Sequence, residues 1–288
     1  MDVALIGTGL MGYPMAARLL ESGHSLTVYN RTRQKALPLE ELGATIAGNA
    51  QEAIAAAEVT VVMLADAASI RETLEPHGRL PDLTGRTLIQ MGTIAPRESV
   101  ALLEDIRRAG GDYLEAPVLG SRPQARDGKL LIMLGATPTQ FERWFDLLSC
   151  FGPDPRLVGT VGKAAALKLA FNQLIASQLA SFSMALGLIR HHDIDVEEFM
   201  TLLRQSPLYA PTFDAKLPRL LERDFSDVNF PARLLLKDLT LATDVAADVG
   251  LHTAVLEGLK TLVGEALERG LGDADYSVLG ELVDPQRS

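Results

Sequence analysis

Val3-Ala4-Leu5-Ile6-Gly7-Thr8-Gly9-Leu10-Met11-Gly12, followed by Met15-Ala16-Ala17-Arg18-Leu19-Leu20, joins an apolar run to a glycine-rich turn and then to a helical pattern. Each glycine has its own task in such a strand-turn-helix unit. Gly7 permits the tight turn, Gly9 lets the backbone approach a pyrophosphate, and Gly12 allows close packing of helix on strand, while the helix N-terminus attracts phosphate charge. Gly7, Thr8, Gly9, Leu10, Met11 and Gly12 are therefore the candidate dinucleotide-binding loop; without a ligand they form only a tight βα turn.

The end of the second predicted strand selects the dinucleotide. NAD sites place an Asp or Glu about 20 residues on, to hydrogen-bond the ribose 2′-hydroxyl. Here the chain reads Tyr29-Asn30-Arg31-Thr32-Arg33, with no acid. Arg31 offers a planar fork of donors to a 2′-phosphate, assisted by Asn30 and Thr32, so NADP(H) is expected in preference to NAD(H). The alternative is a pair of solvated loop arginines.

Outward from this unit, short β-rich runs alternate with amphipathic stretches. Strands are expected at Val3–Ile6, Ser25–Tyr29, Ala44–Ile46, Val59–Leu64, Thr87–Met91, Asp112–Pro117, Leu130–Leu134 and Arg156–Val158. Several lack polar alternation, as parallel strands covered on both faces do. After Gly159 the periodicity turns helical, with breaks at Ser206-Pro207, Ala210-Pro211 and Phe230-Pro231. The expected fold is α/β: a doubly wound sheet domain over 1–159 and an all-α domain over 160–288, joined by a long helix.

That helix is uncharged from 169 to 189, long enough to span a bilayer at about 1.5 Å per residue. Asn172, Gln173, Ser177, Gln178, Ser181 and Ser183 interrupt it, which favours a buried helix of a soluble protein. A helix apolar all round needs cover all round, so a homodimer or homotetramer is expected.

The chain has 288 residues, 47% hydrophobic, with a net charge of -10. That charge repels phosphate backbones and anionic lipid, which argues against nucleic-acid and membrane partners. A single cysteine, Cys150, and an N-terminus without a signal-peptide pattern fit a reducing cytoplasm.

Other chemistries find little support. There is no GxSxG elbow, and His24, His77, His191, His192 and His252 show no metal-ligand spacing, so no metal is expected. Gly159-Thr160-Val161-Gly162-Lys163 only faintly suggests a phosphate loop: its glycines are too close together and Ala164 replaces the magnesium-binding hydroxyl. Lys168 and Asn172 stand at i and i+4, on one helix face, among Ala165, Leu167, Leu169 and Phe171. Desolvation there lowers a lysine's pKa toward neutrality, which suits proton exchange with a substrate oxygen during hydride transfer. Otherwise such a lysine extends to water.

The opening Gly7 to Gly12 with Pro14-Met15-Ala16, the segment Glu115-Ala116-Pro117-Val118-Leu119-Gly120-Ser121, the stretch Gly162 to Asn172, and Lys237-Asp238-Leu239 resemble the β-hydroxyacid dehydrogenases over nearly the whole chain. That family includes 3-hydroxyisobutyrate dehydrogenase and the glyoxylate/succinic semialdehyde reductases. The resemblance implies a Rossmann domain, a helical C-terminal domain, an active site in the cleft between them, and a small hydroxy acid or its carbonyl partner as substrate. It makes Lys168 the catalytic acid/base and Asn172 a substrate contact. Lys237 matches a lysine beside nicotinamide and substrate, Phe230 an aromatic before it, Thr93 a threonine near the nicotinamide ribose, and Met63-Leu64 the loop over the adenosine side. Leu119 stands where the family usually has a serine that helps hold the substrate carboxylate, leaving Gly120, Ser121 and Arg122 as candidate holders. Ser121-Arg122, Ala125 and Asp127-Gly128 lean toward the glyoxylate/succinic semialdehyde reductase branch. Two alternatives share the architecture: an imine-reductase-like enzyme for a less polar substrate, against which Lys168 counts, and a non-catalytic cofactor-binding or scaffold protein.

Overall fold

The computed structural model describes residues 1–76 and 78–285; His77 and residues 286–288 lie outside them. The first compact unit, Met1–Leu169, is built on strands β1 (Asp2–Ile6), β2 (Ser25–Tyr29), β3 (Thr45–Ile46), β4 (Val59–Val62), β5 (Thr87–Gln90), β6 (Asp112–Glu115), β7 (Val118–Leu119), β8 (Leu131–Gly135) and β9 (Arg156–Gly159). Their order is β3-β2-β1-β4-β5-β6-β8-β7, with β9 on β8. The first six are parallel, while β8 runs antiparallel to β6 and β7. The order 3-2-1-4-5-6 is that of the Rossmann sheet, whose reversal beside β1 opens a crevice at the carboxyl ends of the strands.

Neighbouring strand residues point to opposite faces, and both faces are covered. Leu5, Val61, Ile89 and Leu114 pack toward Met15, Leu19 and Trp144, whereas Ile6, Val62, Leu88 and Tyr113 pack toward Ile54, Ile70, Leu102 and Ile106. Each such side chain contributes roughly 1.5–3 kcal/mol by leaving water, which is why β4 and β5 need no polar alternation. The covering helices are α1 (Gly12–Glu21), α2 (Ala50–Ala55), α3 (Ala67–Leu74), α4 (Pro96–Arg108), α5 (Arg122–Arg126) and α6 (Pro138–Ser149). Asn49, Asp66 and Thr137 cap α2, α3 and α6 by accepting first-turn N–H groups.

Every expected strand forms, with trimmed ends: Ala44, Met63, Leu64, Met91, Ala116, Pro117 and Leu130 fall outside. Strand β7 was not expected. It is two residues long between Pro117 and Gly120, too short for a periodic signal, and exists because Val118 and Leu119 pair with Ile132 and Leu131.

Helix α7 (Lys163–His191) begins in the first unit and ends in the second, Ala170–Ser288. The second unit continues with α8 (Val196–Gln205), α9 (Pro211–Glu222), α10 (Ala232–Asp248), α11 (Ala254–Glu268) and α12 (Leu279–Val283). Its core gathers Leu179, Phe182 and Leu186 with Met200, Leu220, Leu235, Leu239, Leu259 and Val263, and Phe182 stacks on Phe213 at 4.6 Å. A buried ion pair, Lys216 to Asp275 at 2.8 Å, ties α9 to the turn before Tyr276. The helix breaks fall where the prolines lead: α8 ends at Gln205, α9 starts at Pro211 and α10 follows Pro231. Among the described residues no helix is long and apolar enough to cross a membrane. His191, its side chain 57% exposed, lies with Nε2 3.1 Å from Asp284 Oδ1.

Candidate functional site

The glycine loop sits at the carboxyl end of β1, and its three glycines differ in what surrounds them. A Cβ on Gly7, whose φ is +99°, would lie 2.3 Å from the Met63 carbonyl oxygen, and one on Gly12 would lie 1.8 Å from the Gly7 carbonyl oxygen. Both are demanded by the protein. A Cβ on Gly9 would meet nothing within 4 Å, so Gly9 keeps open a space that the polypeptide does not fill. No side chain caps α1, which leaves its first turn to a ligand. Thr8 Oγ1 is buried without a hydrogen-bond partner among the described residues. The open space, the uncapped helix and the orphaned hydroxyl fit the pyrophosphate of a dinucleotide.

The neighbouring strand ends close around this loop. Met63 N–H donates to the Ile6 carbonyl at 2.8 Å, and a Cβ on Gly92 would lie 2.3 Å from the Leu64 carbonyl oxygen, so Met63, Leu64 and the Gly92-Thr93 turn belong to the same rim. Asn30 acts as an internal brace: its Oδ1 accepts the Thr8 N–H at 3.0 Å and its Nδ2 donates to the Thr32 carbonyl at 2.9 Å. Arg31 is open to solvent and pairs with Glu72 on α3 at 3.1 Å, with side-chain exposures of 77% and 69%. So exposed a pair is worth about 0–1 kcal/mol, little obstacle to a phosphate.

The segment after β6 is tightly specified. Leu119 is half-buried in β7. Gly120 has φ +137°, and a Cβ there would lie 2.7 Å from Leu130 Cδ2. Ser121 donates both its N–H and its hydroxyl to Gln124 Oε1, at 3.0 and 2.6 Å, and Arg122 opens α5. Lys168, on α7, is 9% exposed.

In the second unit three polar side chains converge. Asn172, 2% exposed, donates from Nδ2 to Asp238 Oδ2 at 2.6 Å, and Lys237 Nζ lies 2.8 Å from Asp238 Oδ1. Asn172 Oδ1 is buried without a partner among the described residues, an acceptor available to a hydroxyl. Phe230 packs at the edge of the helical core, 5.8 Å from the Tyr276 ring. Asp238 carries this organisation, and Glu115 holds the start of α7 in the first unit; neither is assigned a role from sequence. A lone acid inside the apolar run Leu234 to Leu239 is the signal that marks Asp238.

The candidate residues thus divide between the two units. The loop, Asn30 to Thr32, Met63, Leu64, Thr93, Leu119 to Arg122 and Lys168 lie in the first, and Asn172, Phe230 and Lys237 lie in the second. Among the described residues no group of three or more His, Cys, Asp or Glu side chains could hold a metal ion.

Residues 2–162 match the family model of the NAD-binding domain of 6-phosphogluconate dehydrogenase. Residues 162–283 match that described as the NAD-binding of NADP-dependent 3-hydroxyisobutyrate dehydrogenase. The chain is 30% identical to glyoxylate/succinic semialdehyde reductase 1 of Arabidopsis thaliana over 98% of both chains. It is also 30% identical to the chloroplastic reductase 2 of that plant, over 100% of this chain and 80% of the relative. A solved 3-hydroxyisobutyrate dehydrogenase of Mycobacterium tuberculosis with L-serine shares the fold, with a TM-score of 0.86 at 22% identity over 97% of this chain and 98% of the other.

Proposed function

Because the chain belongs to the β-hydroxyacid dehydrogenase family, of 3-hydroxyisobutyrate dehydrogenase type, we propose that it is an NADP(H)-dependent oxidoreductase interconverting a small semialdehyde or keto acid and its hydroxy acid. The observation that carries the chemistry is Lys168, a lysine nine-tenths withdrawn from water. An ammonium is costly to withdraw from water, and in the family that this chain resembles the lysine matching it exchanges the substrate's proton.

A bound nicotinamide dinucleotide would supply the hydride chemistry at the substrate carbon. In reduction Lys168 gives its proton to the carbonyl oxygen, and in oxidation it removes the hydroxyl proton. Asn172 accepts from a substrate hydroxyl at its open Oδ1, while Asp238 fixes the amide and holds Lys237, whose positive charge attracts an acid substrate. On the cofactor side Gly9 admits the pyrophosphate, and Arg31 exchanges Glu72 for the 2′-phosphate. Leu119 favours a second reading, because its apolar bulk replaces a hydroxyl donor: an imine-reductase-like enzyme for a less polar substrate. A non-catalytic cofactor-binding protein is the remaining alternative.

The deciding experiment measures absorbance at 340 nm with NADPH and NADH against a panel of semialdehydes, keto acids and cyclic imines, on the native protein and on Lys168→Ala. Loss of turnover in the variant with NADPH binding retained supports the assignment; undiminished turnover removes Lys168 from the mechanism.

The same helix supports self-association. Ala170, Leu174, Ser181, Met184 and Leu188 are exposed at helical spacing along one side of α7, with Leu174 46%, Met184 52% and Leu188 57% accessible. A second copy covering this stripe makes a homo-oligomer. Analytical ultracentrifugation of Met184→Glu/Leu188→Glu checks it, with dissociation expected.

A further inference from the structure

The turn Gly159-Thr160-Val161-Gly162-Lys163, with its faint outline of a phosphate loop, already holds an anion of its own. Glu115, the last residue of β6, is fully buried. Its Oε1 accepts the backbone N–H groups of Gly162 at 2.8 Å, Ala164 at 2.9 Å and Ala165 at 3.1 Å. Its Oε2 accepts the Ser99 hydroxyl of α4, and Ser99 Oγ lies 2.8 Å from the Tyr113 hydroxyl. Three amides from the start of α7 can meet one oxygen only at a single height and rotation of the helix. The seat is cut to shape on the far side as well, since a Cβ on Gly135 of β8 would lie 2.3 Å from that same oxygen. Gly162 enters the turn with φ +97°, a conformation that favours glycine.

Capping a helix does not require a buried carboxylate, because Ser, Thr or Asn does it at the surface. What Glu115 adds is a rigid link between the end of a central strand and the first turn of α7. We propose that Glu115 is a positioning residue for the acid/base, fixing through that turn the place where Lys168 stands. The inference rests on Lys168 as the proton donor. Lys168 comes three residues after Ala165 in the same helix, about 4.5 Å along its axis at 1.5 Å per residue. No flexible segment intervenes, so a shift of the anchored turn reaches Lys168 nearly undiminished. A misplacement of about 1 Å can cost on the order of 100-fold in rate.

The test compares three variants in the full chain. Glu115→Asp keeps the charge but withdraws it by one methylene; Gly135→Ala leaves Glu115 in place but drives a methyl into its carboxylate; Glu115→Gln keeps an oxygen at the same reach. Glu115→Asp and Gly135→Ala are expected to lower kcat at least about tenfold and to speed amide exchange at Ala164 and Ala165, with KM and the NADPH dissociation constant near native. Glu115→Gln is expected to restore most of kcat. Native kcat in folded Glu115→Asp and Gly135→Ala overturns the proposal, and so does an equal loss in Glu115→Gln. Should Glu115→Asp fail to fold, Gly135→Ala decides. Lys168→Ala separates the two levels: full turnover there defeats the proton-donor assignment, whereas lost turnover there with native kcat in the clamp variants defeats the clamp alone.

Discussion

Gly9→Ala separates a glycine kept for the protein from one kept for a ligand. An added methyl at Gly9 meets nothing within 4 Å, whereas at Gly12 it lies 1.8 Å from a backbone oxygen. The backbone at Gly9 is outside the left-handed region, so alanine is tolerated and narrows the unfolded ensemble, worth about 0.4–1 kcal/mol. Differential scanning fluorimetry should therefore show an unchanged midpoint or a rise of up to about 4 °C. Cofactor binding should move the other way. A methyl in the space of the pyrophosphate costs about 1–3 kcal/mol as overpacking, which weakens NADPH roughly 5- to 150-fold at 1.4 kcal/mol per decade. Gly12→Ala should instead fail to fold or melt far below native. Native NADPH affinity in Gly9→Ala, read by titration of nicotinamide fluorescence, would refute the placement of the pyrophosphate; a melting loss matching that of Gly12→Ala would show that Gly9 serves the fold.

Arg31→Ala should weaken NADPH about 10- to 100-fold, the worth of one or two charge-assisted hydrogen bonds, and leave NADH unchanged; Glu72→Gln, freeing Arg31 of its partner, should tighten NADPH up to about fivefold. Equal effects on both cofactors would remove the 2′-phosphate from the argument. Leu119→Ser should lower KM for carboxylate-bearing substrates without altering NADPH affinity, and steady-state kinetics on paired acidic and neutral aldehydes reads the difference. Burial pushes the Asp275 carboxyl up, but the Lys216 ammonium, the Ser277 hydroxyl and the Asn229 amide outweigh it and hold it below the ordinary carboxylate range. The stability it contributes is complete above the unfolded value of about 3.9 and is lost as pH falls through the lower folded value. Urea midpoints should therefore drop below about pH 4, and Asp275→Asn should abolish that part of the slope while costing about 3–5 kcal/mol at pH 7 by stranding Lys216. The same acid limb in Asp275→Asn and native protein would contradict this.

The local features of the molecule are written in its local sequence. Strand, glycine turn and helix follow one another within the first 21 residues, and their geometry depends on neighbours a few positions away. The continuous apolar runs report burial on both faces because period two leaves no polar side to expose. The proline breaks of the helical half are legible for the same reason, since a missing N–H acts where it stands. The pairing of distant polar groups was decided elsewhere. Asn30 follows the second strand as a cofactor contact would, yet its amide braces the glycine loop from 22 residues away. Asn172 and Asp238 meet across 66 residues, and Glu115 reaches the start of α7 across 47. Periodicity reports which side of an element is buried, not which partner it finds there. A buried polar group must have a partner, and only the packing of sheet and helices determines which one comes within hydrogen-bond distance.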